Sequence, residues 1–297
     1  MLKKSHSIKK VKKYGIDLGE RGVYDVRNKL NELTGKEWVY FTNSIWITGY
    51  SPTAIENAGL KYRKIHPSPK PPGLLKDIIL FFTKSNSLIL DPFAGVGGTL
   101  IGAAMAGGNR KAIGIELEPK YYDAYKKACL SECIEIMPMI IDDSLNMMNY
   151  KLIAEEEFDL IIADPPYSNM MNKVRTGQKA KLNGEKLATP YTDYQEDLGN
   201  LNRERYLEKL KKIMHLASTR LKNNKYLVVF CKDFQPEKDN PNILHADIIY
   251  LLSEIPRLQY KGMRIWHDQA MSLYPFGYPY SFVMNQIHQY VLIFRKE

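Results

Sequence analysis

The sequence predicts an α/β fold built on an open, largely parallel sheet. Three observations carry that expectation. Short apolar runs that do not alternate, among them Leu88–Leu90, Ala112–Ile115, Ile136–Ile141 and Phe158–Ala163, are separated by segments with helical spacing. That is the pattern of parallel strands buried on both faces and joined by crossover helices. The first run leads into Asp91-Pro92-Phe93-Ala94-Gly95-Val96-Gly97-Gly98-Thr99 and then a helix pattern of Leu100, Ile101, Ala103, Ala104 and Met105. Strand, glycine-rich turn and helix form the opening unit of a nucleotide-binding fold. Third, four successive strands end in an acid: Asp91, Glu116, Asp142 or Asp143, and Asp164.

At 297 residues the chain has room for one large α/β domain with additions, or two small ones. A formal charge of +9 favours a polyanionic partner, although a merely soluble basic surface would also account for it. Three cysteines are too few for a disulfide framework and lack zinc-site spacing. Cys129 and Cys133, on one expected helix, read as packing residues, and no metal site is expected. No apolar run nears the length of a membrane span, so a soluble protein without membrane association is expected.

Taken in order, residues 1–60 read as a basic arm, with six lysines in the first 13 residues, followed by a small helical and aromatic segment. Val23, Val26, Leu30 and Leu33 recur at helical spacing, which predicts a short amphipathic helix ending near Thr34-Gly35. Trp38 to Ile47 is aromatic and reads as packing onto the main domain, with Asn43 and Ser44 as candidates for polar contact. Residues 51–65 read as a linker. His66-Pro67-Ser68-Pro69-Lys70-Pro71-Pro72 is stiff and extended, and leads into a helix marked by Leu74, Leu75, Ile78, Ile79 and Phe82. Ser68 and Lys70 stand where a small carboxylate can be held. A plain polyproline connector would need only the prolines.

The glycine turn is neither a triphosphate loop nor a dinucleotide fingerprint. It lacks Gly-Lys-Ser/Thr, and position 100 is leucine where the latter requires glycine. Its lining begins with an acid, Asp91, which suits a cationic ligand end better than a pyrophosphate. Glu116 ends the second strand, where an acid binds a ribose diol. Asp142-Asp143-Ser144 ends the third, where a carboxylate can accept from an adenine amine or simply stay solvated. The fourth strand delivers Asp164-Pro165-Pro166-Tyr167. The prolines stop the strand and stiffen the turn. A carboxylate and the Pro165 carbonyl can then accept both N–H groups of an exocyclic amine, with Tyr167 stacked on the ring. A proline-rich turn with a buried tyrosine is the plainer alternative.

Residues 168–204 are polar and rich in Lys and Arg, and read as a mobile loop beside the site, with Asn169, Lys173 and Arg175 as candidate nucleic-acid contacts. A helix (Tyr206 to Leu221), a strand (Tyr226 to Cys231), a helix (Leu244 to Ile255) and an antiparallel pair (Leu258 to Trp266, Gln289 to Phe294) follow. Tyr274-Pro275-Phe276-Gly277-Tyr278-Pro279-Tyr280 lies between the paired strands, either walling a base pocket or forming a rigid loop without a ligand.

On the glycine turn, on Ile113 to Tyr122 and on Asp164 to Tyr167, the chain resembles the S-adenosylmethionine-dependent amino-group DNA methyltransferases. His66 to Pro72 is similar to the segment beside the cofactor's methionine end in that family. The resemblance covers roughly residues 38 to 297 in motif order. It implies a Rossmann-like class I methyltransferase domain over 61–297. Its sheet would be mixed and seven-stranded, with helices on both faces and a C-terminal antiparallel strand pair. It implies that His66, Ser68, Lys70, Asp91, Pro92, Phe93, Gly95, Gly97, Thr99, Glu116, Leu117, Asp143 and Ser144 surround S-adenosylmethionine. Asp164, Pro165, Pro166 and Tyr167 would hold a flipped base of double-stranded DNA, adenine first (for its N6 amine). Cytosine N4, or a guanine amine in RNA, are the alternatives, and a non-catalytic nucleic-acid binder on the same fold is a third reading. The resemblance also implies a cytoplasmic enzyme of a prokaryotic cell or phage, a monomer or homodimer, with a cognate restriction endonuclease as a possible companion. The cofactor motifs precede the catalytic turn here, the reverse of many relatives.

Overall fold

The computed structural model describes residues 13–50, 55–167, 190–236, 238, 241–269 and 271–297. β1 (Gly15–Asp17) and β2 (Val23–Asp25) form a small antiparallel ribbon. The helix expected over residues 23–34 is therefore absent, and helix α1 begins where that one was to end, spanning Gly35–Phe41. The cause is local. Thr34 is an N-cap, not a stop: its backbone N–H donates to Glu37 Oε2 at 2.8 Å, and Glu37 N–H donates back to Thr34 Oγ1 at 3.4 Å. This reciprocal pair starts a helix. Asn28, Asn31 and Asp25 tie the preceding residues into turns through their side chains.

β3 (Ile45–Thr48) pairs parallel with a strand more than 200 residues away, from Ile45↔Ile265 to Thr48↔Asp268. Phe41 and Trp46 are buried in the main core and stack edge-on, 5.8 Å between centroids, whereas Val39, Tyr40, Ile45 and Ile47 are exposed, so the aromatic segment packs only in part. The side chain of Asn43 accepts from Ile45 N–H, so that polar candidate serves the chain's own backbone, and the Ser44 backbone carbonyl accepts from Ile265 N–H.

A nucleotide-fold progression follows: α2 (Leu60–Arg63), α3 (Pro72–Phe82), β4 (Leu88–Asp91), α4 (Gly98–Ala106), β5 (Lys111–Glu116), α5 (Pro119–Ser131), β6 (Met139–Ile141), α6 (Lys151–Ala154) and β7 (Phe158–Ala163). α2 lies within the expected linker. β6 is shorter than expected, because Pro138 has no N–H for the ladder, although its carbonyl accepts from Gly114 N–H at 3.0 Å. Cys129 is buried on α5, but Cys133 is exposed with φ of 54° just past the helix, so it does not pack. The chain closes with α7 (Arg203–Thr219), β8 (Leu221–Cys231), α8 (Leu244–Ser253), β9 (Leu258–Asp268) and β10 (His288–Lys296).

The sheet order is β3-β9-β10-β8-β7-β4-β5-β6, and β10 runs antiparallel to both neighbours. The expected C-terminal pair is present. The strand count is eight rather than seven, because β3 adds an edge strand. Alternate residues of β7 enter opposite cores: Leu160 and Ile162 face α3 and α4, and Ile161 and Ala163 face α7 and α8. Burial of Leu160, Ile161 and Ile162 contributes roughly 1.5–3 kcal/mol each. The direction of winding reverses between β4 and β7, and ligands bind beyond the carboxyl ends of strands at such a reversal. Asp91 and Asp164 stand there.

Candidate active site

The glycine turn is tied to its neighbours on every side. Ala94 N–H donates to Ile115 O at 2.8 Å, and Gly95 N–H donates to Glu116 Oε2 at 2.7 Å. Gly97 has φ of +75°, and a Cβ there would sit 2.1 Å from the ring of buried Tyr125. Only glycine fits both the backbone and the space. Glu116 also accepts from Glu118 N–H at 2.8 Å. Burial pushes the Glu116 carboxyl up to about 7 against the pull of these two backbone donors. Burial likewise raises Asp91 to about 7, opposed by hydrogen bonds from Thr99 and Phe93.

A cleft opens above the carboxyl ends of β4, β5 and β7. It is lined by His66, Pro92, Phe93, Gly95, Glu116, Leu117, Asp143, Ser144, Asp164 and Pro166, all singled out in the sequence. A smaller adjoining cavity of about 340 Å³ is lined by Lys70, Asp91, Thr99 and again Asp164. Ser68, Gly97, Pro165 and Tyr167 line neither cavity. Ser68 instead donates its N–H to His66 Nδ1 at 3.2 Å. His66 lies against Tyr121 and Tyr191, 4.8 and 5.1 Å between centroids. Burial pushes its pKa down to about 3, so it is a neutral wall of the cleft.

Of the acid pair after β6, Asp143 faces the cleft. Asp142 turns to Tyr150 and Asn146, at 2.7 and 2.9 Å. Asp143 is already paired with Lys209 of α7 at 2.6 Å, and the Ser144 hydroxyl donates to Pro92 O. The stretch read as a mobile loop is divided. Asn169, Lys173 and Arg175 lie outside the described residues, whereas Tyr191, Thr192, Asp197 and Leu198 are buried and line the cleft. Lys209, Tyr121 and these four were not singled out in the sequence. The one available signal was Asp197-Leu198-Gly199, where Asp197 Oδ1 accepts from Gly199 N–H at 2.8 Å and turns the chain inward.

The catalytic turn departs from expectation at two residues. Lys70, expected to face a carboxylate of the cofactor, places Nζ 2.5 Å from Asp164 Oδ2. Tyr167, expected to present its face to a base, is buried and donates its hydroxyl to Asp164 Oδ1 at 2.8 Å. Arg63 was missed entirely. It is fully buried and donates two guanidinium N–H groups to Lys70 O, both at 3.0 Å, which fixes the His66–Pro71 segment over the site. The aromatic loop lines neither cavity, and Tyr278 and Tyr280 are exposed.

A switch-point cleft with acids at the ends of β4, β5 and β7 and a glycine turn at its floor is the arrangement of the Rossmann-like methyltransferases. The chain belongs to the amino-group DNA methylase family: the family model described as DNA methylase matches residues 4–127 and 158–297. It is 37% identical over 109 residues to the type II methyltransferase M2.DpnII of Streptococcus pneumoniae, covering 37% of this chain and 36% of that protein. It is 46% identical over 56 residues to the DNA adenine methyltransferase YhdJ of Escherichia coli, covering 19% and 18%. To M.HinfI of Haemophilus influenzae it is 45% identical over 65 residues, covering 22% and 18%. The matches thus span about a fifth to a third of the length of these relatives. Among solved structures, TrmN from Thermus thermophilus aligns at 15% identity with a TM-score of 0.49, over 80% of this chain and 53% of that one. The cofactor of the family is S-adenosylmethionine. The residues present fit that molecule: Glu116 in the cleft could accept from a diol, Asp91 in the adjoining cavity from a cationic end, and the turn carries no side chain at Gly95 and Gly97.

Proposed function

We propose that the chain methylates the exocyclic amine of a base in double-stranded DNA, adenine N6 in the first instance. The observation that carries this reading is Asp164, whose carboxylate stands at the switch point and lines both the cleft and the adjoining cavity. When bound, S-adenosylmethionine supplies an electrophilic methyl group on its sulfonium. Glu116 would accept the ribose hydroxyls, Asp143 beside Lys209 would hold the adenine end, and Asp91 would hold the methionine ammonium. Neutral His66 and Phe93 wall the cleft.

Duplex DNA hides a base amine, so the base must leave the stack to reach Asp164. The amine is a poor nucleophile because its lone pair is delocalised into the ring. Asp164 and the Pro165 carbonyl accept its two hydrogens, localise the lone pair and aim it in line with the methyl group. The nitrogen–carbon bond forms as the sulfur–carbon bond breaks. The charge that develops on nitrogen faces acceptors already in place, and the surplus proton leaves by way of Asp164 to solvent. Lys173 and Arg175 are assigned to the DNA on charge and chain position, and Asn169 on chain position. Adenine is favoured by the likeness to YhdJ, a DNA adenine methyltransferase, and by the acid at the head of the Asp164–Tyr167 turn, which is commoner in adenine enzymes of this family.

The test is a nucleoside analysis. The protein is incubated with labelled S-adenosylmethionine and, separately, duplex DNA and total RNA, and each is digested. N6-methyladenine in the DNA is the expected product. N4-methylcytosine would overturn the choice of base, and label confined to RNA would overturn the choice of substrate.

A further inference from the structure

Asp164 is gripped by two groups to which the reaction above gives no part. Lys70 Nζ lies 2.5 Å from one carboxylate oxygen, and the Tyr167 hydroxyl donates to the other at 2.8 Å. The Lys70 side chain is 6% exposed, and its ammonium lies 5.2 Å from the centre of the Phe230 ring. A lysine so buried needs a reason, because removing an ammonium from water is expensive unless it is paired. Its backbone is fixed as well, by the two bonds from Arg63. A second acid is at hand. Asp91 ends the strand next to β7, is buried, and lines the same small cavity as Lys70 and Asp164.

Asp91 and Asp164 line one small cavity, and neighbouring carboxylates disfavour each other's ionised form unless a cation stands with them. A protonated Asp164 would be a weaker acceptor for the amine hydrogen that falls to it and could not take up the reaction's surplus proton. Among the described residues, the titratable groups facing Asp164 are Lys70 from the segment ahead of α3, Asp91 from β4, Tyr167 from its own turn, Tyr191 from the stretch before α7, Tyr206 from α7 and Cys231 from β8. Of these, Lys70 alone is cationic. We propose that Lys70 is a positioning residue for methyl transfer, holding Asp164 ionised and correctly turned beside Asp91. This is a role distinct from holding the carboxylate of the cofactor, and it rests on the functional reading above.

The two roles separate in a pH profile. Single-turnover rates of DNA methylation at saturating S-adenosylmethionine are measured for the wild type, Lys70→Gln and Lys70→Arg from about pH 5.5 to 9.5. Circular dichroism and S-adenosylhomocysteine binding confirm that each variant is folded. Removing the charge is expected to move the acid limb up by about 1–3 pH units. Lys70→Gln is then about tenfold or more slower near neutrality and recovers in alkali. Lys70→Arg keeps the charge and keeps the limb. An active Lys70→Gln with an unmoved limb, or one altered only in KM for the cofactor, overturns the proposal. Should Lys70→Gln fail to fold, a displaced limb in Lys70→Arg overturns it equally. A wild type that labels no DNA fails the functional reading and takes this inference with it, whereas an active wild type with unmoved limbs fails this inference alone.

Discussion

Replacing Gly97 by alanine tests whether the glycine turn is shaped by the space around it. Two penalties add at this position. At φ of +75° an L side chain is strained by about 1–2 kcal/mol. The new Cβ would also lie 2.1, 2.6 and 2.7 Å from three atoms of the Tyr125 ring. That ring cannot swing aside. Tyr125 is fully buried, and its hydroxyl accepts from Met137 N–H at 2.7 Å. Overpacking of this kind costs about 1–3 kcal/mol. The sum, about 2–5 kcal/mol, lowers Tm by roughly 5–15 °C for a chain of this size. Gly107 supplies the control. Its φ is +63°, but no atom lies within 4 Å of where a Cβ would stand, so Gly107→Ala carries the strain alone. Thermal melts of both variants with and without S-adenosylhomocysteine read out the difference. Gly97→Ala should melt several degrees below Gly107→Ala and gain no stabilisation from the ligand. Equal melting points, or undiminished ligand stabilisation in Gly97→Ala, would refute the reasoning.

Three further outcomes are expected. Burial raises Asp91 and Glu116 to about 7, so both are protonated below that pH and ionised above it. The ionised acids accept the cofactor's donors, so S-adenosylhomocysteine affinity should fall by up to about tenfold per pH unit per group on acidification below neutrality; a calorimetric titration showing flat affinity would count against it. Arg63→Ala leaves Lys70 O buried without its donors and opens a cavity, for a loss of about 3 kcal/mol in denaturant unfolding together with weakened cofactor binding. Tyr167→Phe removes the hydroxyl from Asp164 while keeping the ring, and should fold normally with turnover about tenfold lower; unchanged turnover would show that this hydrogen bond has no part in the reaction.

The order of strands and the acids at their ends were legible because they are local. An unbroken apolar run, a glycine turn and a following helix all lie within a few residues of one another. Contacts across the chain were not legible. Lys70 and Asp164 are 94 positions apart, and nothing near Lys70 says that its ammonium meets a carboxylate and not a ligand. Arg63 reads as one more surface cation, yet it is fully buried on three carbonyl bonds. β3 was hidden because its partner strand lies at the other end of the chain. The misplaced first helix is a different failure. Four apolar residues at helical spacing outweighed the Thr34-x-x-Glu37 signature, although that signature marks a helix start by a definite pair of hydrogen bonds. Tyr191 to Leu198 sit in a polar stretch whose composition gives no sign that four of its side chains turn inward to line the cleft.

The most direct measurement is a comparison of wild type and Asp164→Ala, with digested duplex DNA assayed for labelled N6-methyladenine and S-adenosylhomocysteine binding measured on the same preparations. Asp164 follows β7 and Glu116 ends β5, with β4 between them in the sheet, so the loss of Asp164 should spare the cofactor. The expected result is labelled adenine from the wild type, none from Asp164→Ala, and equal ligand affinity in both. Undiminished methylation by Asp164→Ala would contradict the account at its centre.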